Sequence, residues 1–252
     1  MRPLLRALQA ESLKLRGTLA LRMCLVTPAV VALLCVAQVG LAEMKGQQAS
    51  PEEAWRFYAG ASFALWTFLM VPLLVTLEAA LLAGLEHGDR QWKHLLALPI
   101  PRGVHYLAKS LALFGLLLAA GLAFVGLIAL GGWVLMLVRP QAGLSGAPPW
   151  SFLFGRSLGI VAASLFMAAL QLWVSVRWRS FTVAVATGMS ATVVGFLVGQ
   201  SARWGHWYPW SMPIQIFARG GVNAGFVLIA SLLGALLVLA VSVADFNRRE
   251  FE

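Results

Sequence analysis

The chain has 252 residues, of which 60% are hydrophobic and only 12% charged, and its mean hydropathy is +0.81. A soluble domain is about half apolar and a quarter charged, so a water-soluble globule and a disordered chain are both excluded. The net charge of +9 fits the cytoplasmic face of a membrane protein, with lipid rather than nucleic acid as its surroundings. The length suits about five to seven membrane spans with short connections and leaves no room for a sizeable soluble domain.

Residues 1–17 read as an amphipathic helix lying along the inner leaflet. Leu4, Leu5, Leu8 and Leu15 share one side of the helical wheel, and Arg2, Arg6 and Arg16 lie on the other. Glu11 falls within the leucine stripe, about 20° from Leu4. A carboxylate there needs a partner: Lys14 at i+3, or a docking contact to another chain.

Six apolar runs follow, at about 19–42, 57–85, 106–138, 152–176, 181–199 and 222–244. Lipid cannot satisfy free backbone amides, and the runs do not alternate like barrel strands, so the spans are helices and the fold class is all-α and polytopic. Small residues near Ala42 resemble a signal-peptide cleavage site, but the run is long and begins late, so a retained helix is expected. Cys24 and Cys35 lie roughly 16 Å apart along this helix, too far for a disulfide. Glu78 is the only acid within a span. Either it snorkels toward Arg90 and Lys93, or it belongs to a substrate or coupling path. The third run is about 48 Å long if wholly helical, and is expected to tilt, to extend beyond the membrane or to bend at Gly131-Gly132. Kept as one span, it places thirteen of the nineteen basic residues inside, with both termini cytoplasmic. Gly188 and Gly195-x-x-x-Gly199 give the fifth span a small-residue face suited to close helix contact.

Few residues point to catalysis. No glycine is followed by lysine, so there is no P-loop and no ATP site in this chain. Glu86-His87-Gly88-Asp89 lacks the paired histidines that zinc needs, and no metal site is expected. Glu52-Glu53 with Arg56 resembles the paired-glutamate motif of intramembrane prenyl-protease relatives. The arginine stands one residue too close, and the pair falls in an expected outside loop. Ser201 and His206 have no evident orienting partner. An intramembrane hydrolase is the alternative of another class; the main expectation is that the chain is not an enzyme.

Two connections carry more information. In the inside loop, Asp89 can cap a short helix ending before Pro99. Trp92, Leu95 and Leu96 share one face, with Lys93 and His94 beside them. That helix is a peg for a groove on a partner, or it rests on the bilayer interface. In the last outside loop, Trp204, Trp207 and Trp210 recur every three residues ahead of Pro213. This suits an interfacial or partly re-entrant hairpin, or an aromatic belt.

The stretch Glu86…Trp92-Lys93-His94-Leu95-Leu96-Ala97-Leu98-Pro99-Ile100-Pro101-Arg102…Tyr106…Lys109 resembles the signature of ABC transporter permeases of the type-2 exporter class. It is most similar to the permeases of lantibiotic- and bacitracin-type immunity transporters. Glu11-Ser12-Leu13-Lys14 resembles their N-terminal Glu-x-x-Lys segment. The resemblance implies two permeases, identical or paralogous, in a bacterial inner membrane. It also implies two separate P-loop ATPase subunits, which bind the ATP and magnesium; this chain would hold no cofactor. Glu86, Trp92, Lys93, Pro99, Arg102 and Lys109 would couple to the ATPase, and Glu11 and Lys14 would form a second contact. Glu78 would lie on a substrate path, and Trp204, Trp207 and Trp210 would close an outer gate. The cargo implied is an amphipathic peptide or lipophilic antibiotic, with a metal-related or lipid-linked cargo as the alternative.

Overall fold

A computed structural model of the chain describes residues 2–41, 50–88, 101–216 and 224–248; helices dominate these residues, and no strand occurs among them. Helix α1, Arg2–Leu15, ends before Gly17, whose φ of 77° turns the chain into α2, Leu19–Leu41. Its buried line is Ala7, Glu11 and Leu15, and it packs against α5, defined below. The protein-facing side is therefore rotated from the expected leucine stripe: of that stripe Leu15 is buried and Leu5 exposed, while the line through Glu11 faces the protein.

Helix α3, Pro51–Leu65, starts six residues before the expected apolar run. Ser50 Oγ accepts from the Glu53 amide, and the Glu53 carboxylate accepts from the Ser50 amide. This capping box, with proline in the first turn, fixes the helix start in residues too polar to register as a span. A widened π-turn, Trp66–Met70, then leads into α4, Val71–Gly88. Pro72 accounts for it. Proline has no amide to offer the carbonyl four residues back, at Phe68, and its ring crowds that carbonyl.

Helix α5, Arg102–Val138, is 37 residues long, or about 55 Å. It is the central post: it packs against α1, α2, α4 and the later helices Trp150–Ala163 and Ala224–Arg248, and leaves a face through Leu111, Leu118, Leu122 and Leu130 exposed. Gly131 and Gly132 do not interrupt it. They are seats instead: a Cβ on Gly131 would overlap Tyr58 and Val36, and one on Gly132 would overlap the Trp55 ring. Of the three outcomes expected for this run, the bend at the glycines does not occur; a close approach of α5 to α3 and α2 takes its place.

The fourth span is not one helix. Helix α6, Trp150–Ala163, and helix α7, Leu165–Arg177, meet at Ser164 with a bend of 42°. The break frees backbone groups that lipid could not satisfy. Ser231 serves both sides, donating to the Ala162 carbonyl at 2.8 Å and accepting from the Phe166 amide at 3.3 Å. Helix α8, Phe181–Gly199, the short α9, Met212–Gln215, and α10, Ala224–Arg248, complete the described elements. Among the described residues, five helices are long and apolar enough to cross a membrane, or six if the bent pair counts as one span. Leucines and valines on the outer faces of α2, α8 and α10 are exposed, as lipid contact requires.

The connections gather at two opposite ends. At one, α1, the end of α4, the start of α5 and the end of α10 meet, with Gly103 against Val243 and Tyr106 beside Phe246. At the other, Trp55 donates to the Ser145 carbonyl and Arg139 donates to the Gly40 carbonyl.

Candidate functional site

Four charged side chains from three helices close into a ring. Lys14 Nζ lies 2.8 Å from Glu11 Oε1 and 3.1 Å from Glu86 Oε1. Lys109 Nζ lies 3.2 Å from Glu11 Oε2 and 2.6 Å from Glu86 Oε2. Each carboxylate meets two ammonium groups, and each ammonium meets two carboxylates. Lys109 also donates to the Leu82 carbonyl at 3.0 Å. Glu86 and Lys109 are almost wholly buried, and Lys14 keeps a quarter of its side chain in contact with the surroundings.

Charges taken out of water are tolerated only when fully paired. Burial alone would push the Glu11 carboxyl up, but Lys109 and Lys14 outweigh it and hold the group below its ordinary value of 4.5. Burial would likewise lower the Lys14 ammonium, yet Glu11 and Glu86 hold it above its ordinary 10.5. Glu11 and Lys14 therefore both stay charged across the neutral range. His105, one turn before Lys109 on α5, lies buried beside it with its Nε2 unpartnered. Nothing in the sequence singled it out.

The ring has a particular position along the chain. Glu86 stands two residues before the end of α4, and Lys109 lies about two turns into α5. Glu86 and Lys109 thus lie on the two helices that segment 89–100 connects in sequence. Trp92, Lys93 and Pro99 lie outside the described residues; Arg102 is exposed at the first residue of α5. At the same end, His87 Nε2 pairs with the Ser175 carbonyl at 3.2 Å, and Trp173 donates to Asp245 at 3.3 Å, tying α4 to α7 and α7 to α10.

Glu78 is separate. It lies eight residues before Glu86 on α4, about 12 Å deeper, and is only 1% exposed, so it does not snorkel. Its Oε1 is 3.7 Å from Cys24 Sγ, which also reaches the Leu116 carbonyl, and its Oε2 has no partner among the described residues.

At the opposite end, residues 200–216 fold back along α8. Tyr208 donates to the Ala191 carbonyl at 3.0 Å, and Gln215 donates to the Gly199 carbonyl at 3.0 Å. Ala191 is about 12 Å back from the end of α8. A Cβ on Gly195 would stand 2.9 Å from Trp210 Cβ. The three tryptophans divide: Trp204 and Trp207 are each 57% exposed, while Trp210 turns inward toward α8. The small-residue face of this helix is spent within the chain, with Gly188 against Thr76 and Gly195 and Gly199 against the hairpin.

The residues weighed for hydrolysis serve local structure. Glu52 pairs with Arg56 at 2.9 Å on an exposed helix face, and Glu53 belongs to the capping box. Ser201 Oγ accepts from the Trp204 amide, and His206 packs on Trp207 and Phe226. Among the described residues, no group of three His, Cys, Asp or Glu side chains could hold a metal ion.

A family model described as "ABC-2 family transporter protein" matches residues 7–198, roughly three quarters of the chain. The match takes in all four members of the ring and all but the last residue of α8. No curated protein matches the chain.

Proposed function

The chain belongs to the ABC-2 transporter family, and from that premise we propose that it is the permease of an exporter whose ATPase is a separate protein. The observation that carries the reading is the charge ring. It ties α4 and α5, the helices on either side of segment 89–100, to α1, so a force on that segment would reach α4 and α5 together rather than bending one of them.

In this reading Trp92, Lys93, Pro99 and Arg102 meet the ATPase. Glu86, Lys109, Glu11 and Lys14 face one another and act as the brace behind that contact. Two ATPase subunits, which bind the ATP and magnesium, serve a pair of permeases, identical or paralogous. The complex sits in a bacterial inner membrane with both termini in the cytoplasm. The cargo is an amphipathic peptide or lipophilic antibiotic, as in lantibiotic- and bacitracin-type immunity transporters. The hairpin carrying Trp204, Trp207 and Trp210 is the outer gate, and Glu78 is a buried polar station between the two ends. This chain itself performs no chemistry.

The test is affinity purification from the native host in mild detergent. A P-loop ATPase should co-purify with the wild-type chain, and Trp92→Ala with Arg102→Ala should release it. A folded preparation without any ATPase, or an unchanged yield with the double variant, overturns the coupling assignment.

A further inference from the structure

A cavity of about 220 Å³ lies at the end that carries the charge ring, between the last turns of α4 and the corner where α7 gives way to α8. Its lining is graded along the helices. His87, Arg179 and Ser180 stand at the span ends. Ala80 lies about 10 Å back from His87 along α4, and Ala184 about 6 Å beyond Ser180 along α8, both toward the middle of the membrane. Among the described residues, no Asp or Glu lines the cavity.

The polar groups at the mouth are within reach of a ligand. Arg179 and Ser180 are both exposed. A guanidinium carries five donors in a fork that fits two phosphate oxygens, and so can serve more than one partner. Ser180 Oγ accepts from the Val183 amide at 3.3 Å, and its own hydrogen has no acceptor among the described residues. His87 is held in the wall by the contact of its Nε2 with the Ser175 carbonyl. Asp245, which could have neutralised this corner, faces Arg177 and Trp173 instead and does not line the cavity. Trp178 is 44% exposed, with the Arg177 guanidinium 5.9 Å from its ring centre. Exposed tryptophan and arginine at the end of a span mark the level of the lipid headgroups. Gly84 keeps the α4 wall open, since a Cβ there would meet nothing within 4 Å.

We propose that this cavity holds the head of an anionic phospholipid from the leaflet at the ring end. Arg179 and Ser180 donate to its phosphate oxygens, and Ala80, Phe181 and Ala184 face its glycerol and first methylenes. Cations at the mouth with an apolar wall behind them match the order of groups along a lipid, and basic pockets between spans suit anionic heads. A zwitterionic head brings its own cation to a lining that already carries one, so it is held less well. Cavities for whole drug-sized ligands run from about 300 to 1,000 Å³, so this one takes the head alone and leaves the chains in the bilayer. Bound there, the lipid bridges the end of α4, one residue from Glu86, and the corner between α7 and α8. The site needs neither an ATPase nor a cargo, and so stands apart from the exporter reading above.

The test titrates the full chain, in dodecyl maltoside and shown to be folded by size exclusion, with phosphatidylglycerol or with phosphatidylcholine of the same chains. Native mass spectrometry counts the bound lipid. Phosphatidylglycerol should fill one site about tenfold more tightly than phosphatidylcholine, and Arg179→Gln should weaken that site about tenfold, the worth of one charge-assisted hydrogen bond. Gly84→Leu puts a side chain into the open space and improves helix propensity, so it should remove the site without loss of stability. Arg6→Gln, which removes an exposed arginine of α1, should leave the site unchanged. Equal affinity for the two lipids, undiminished binding by folded Gly84→Leu, or a loss in Arg6→Gln as large as that in Arg179→Gln overturns the proposal. Displacement of the lipid by millimolar inorganic phosphate would make the occupant a soluble anion and overturn it as well.

Discussion

At one end of α5, Lys109 sits between two glutamates; at the other, Gly131 and Gly132 carry no side chain and receive Tyr58 and Trp55. The end with the ring is held by buried charges paired with one another. The opposite end is held by close packing on the glycines and by hydrogen bonds to backbone carbonyls, from Trp55 and Arg139 among others. The difference fits two kinds of work. A part that transmits force needs a fixed geometry, and a closed ring of four charges has one low-energy arrangement. A part that opens and closes needs contacts that separate without exposing a bare charge to lipid.

The strongest break should come at the ring. Glu86→Ala leaves two buried ammonium groups with one carboxylate between them, and should cost about 3–5 kcal/mol of stability. Thermal unfolding in detergent followed by size exclusion reads this directly. Glu86→Leu combined with Lys109→Met should recover most of that loss, because a well-packed apolar pair replaces a buried ion pair at little net cost. If the double variant is as unstable as Glu86→Ala, the ring is not the closed unit described here.

The outer counterpart is Gly132→Val, which forces a side chain into the Trp55 ring. Overpacking of this kind costs about 1–3 kcal/mol, and Trp55→Ala should relieve part of it, measured in the same way. A loss as large as that of Glu86→Ala would erase the contrast between the two ends.

The pH dependence is a gentler probe. The fold holds Glu11 below 4.5 and Lys14 above 10.5, so the pairing of these two groups contributes its full stability between those values. Acid should weaken it as pH falls through the lowered Glu11 value, and alkali as pH rises through the raised Lys14 value. Amide exchange in residues 2–15, corrected for intrinsic rate, should be flat across the neutral range and rise at both extremes. A loosening centred near pH 7 would contradict the ring's electrostatics.

The smallest effect is expected at Glu78. It is as buried as Glu86, but no cation pairs with it among the described residues. Glu78→Gln keeps size and hydrogen-bonding capacity, and the unfolding midpoint should move by no more than about 1 kcal/mol equivalent. A loss matching that of Glu86→Ala would mean that Glu78 has an ionic partner of its own.

The spans were legible because hydropathy is summed over many residues and a single odd one does not mislead. The ring was half legible. Glu11 inside a leucine stripe signals a missing partner, and Lys14 was within reach. Glu86 and Lys109 stand 72 and 98 residues from their α1 partners, a distance no local pattern spans. Ser50-x-x-Glu53 was a readable helix start, overlooked because the apolar signal begins only at Phe57. The glycine pair in α5 carries two meanings, flexibility or close approach, and only the facing aromatics decide between them. The division of the hairpin tryptophans was not readable either, since a period of three says nothing about which ring turns inward.

The bend at Ser164 has a consequence for how the protein is made. The Ala162 carbonyl and the Phe166 amide are both satisfied by Ser231, which leaves the ribosome 65 residues after Phe166. Until then a bent fourth segment would meet lipid with exposed backbone groups, a state the bilayer interior tolerates poorly. It must wait in a wetter place, stay straight, or lean on the insertion machinery until the last helix arrives. The final span is thus a chaperone within the chain, and truncation before residue 231 should leave the fourth segment accessible to water-soluble reagents.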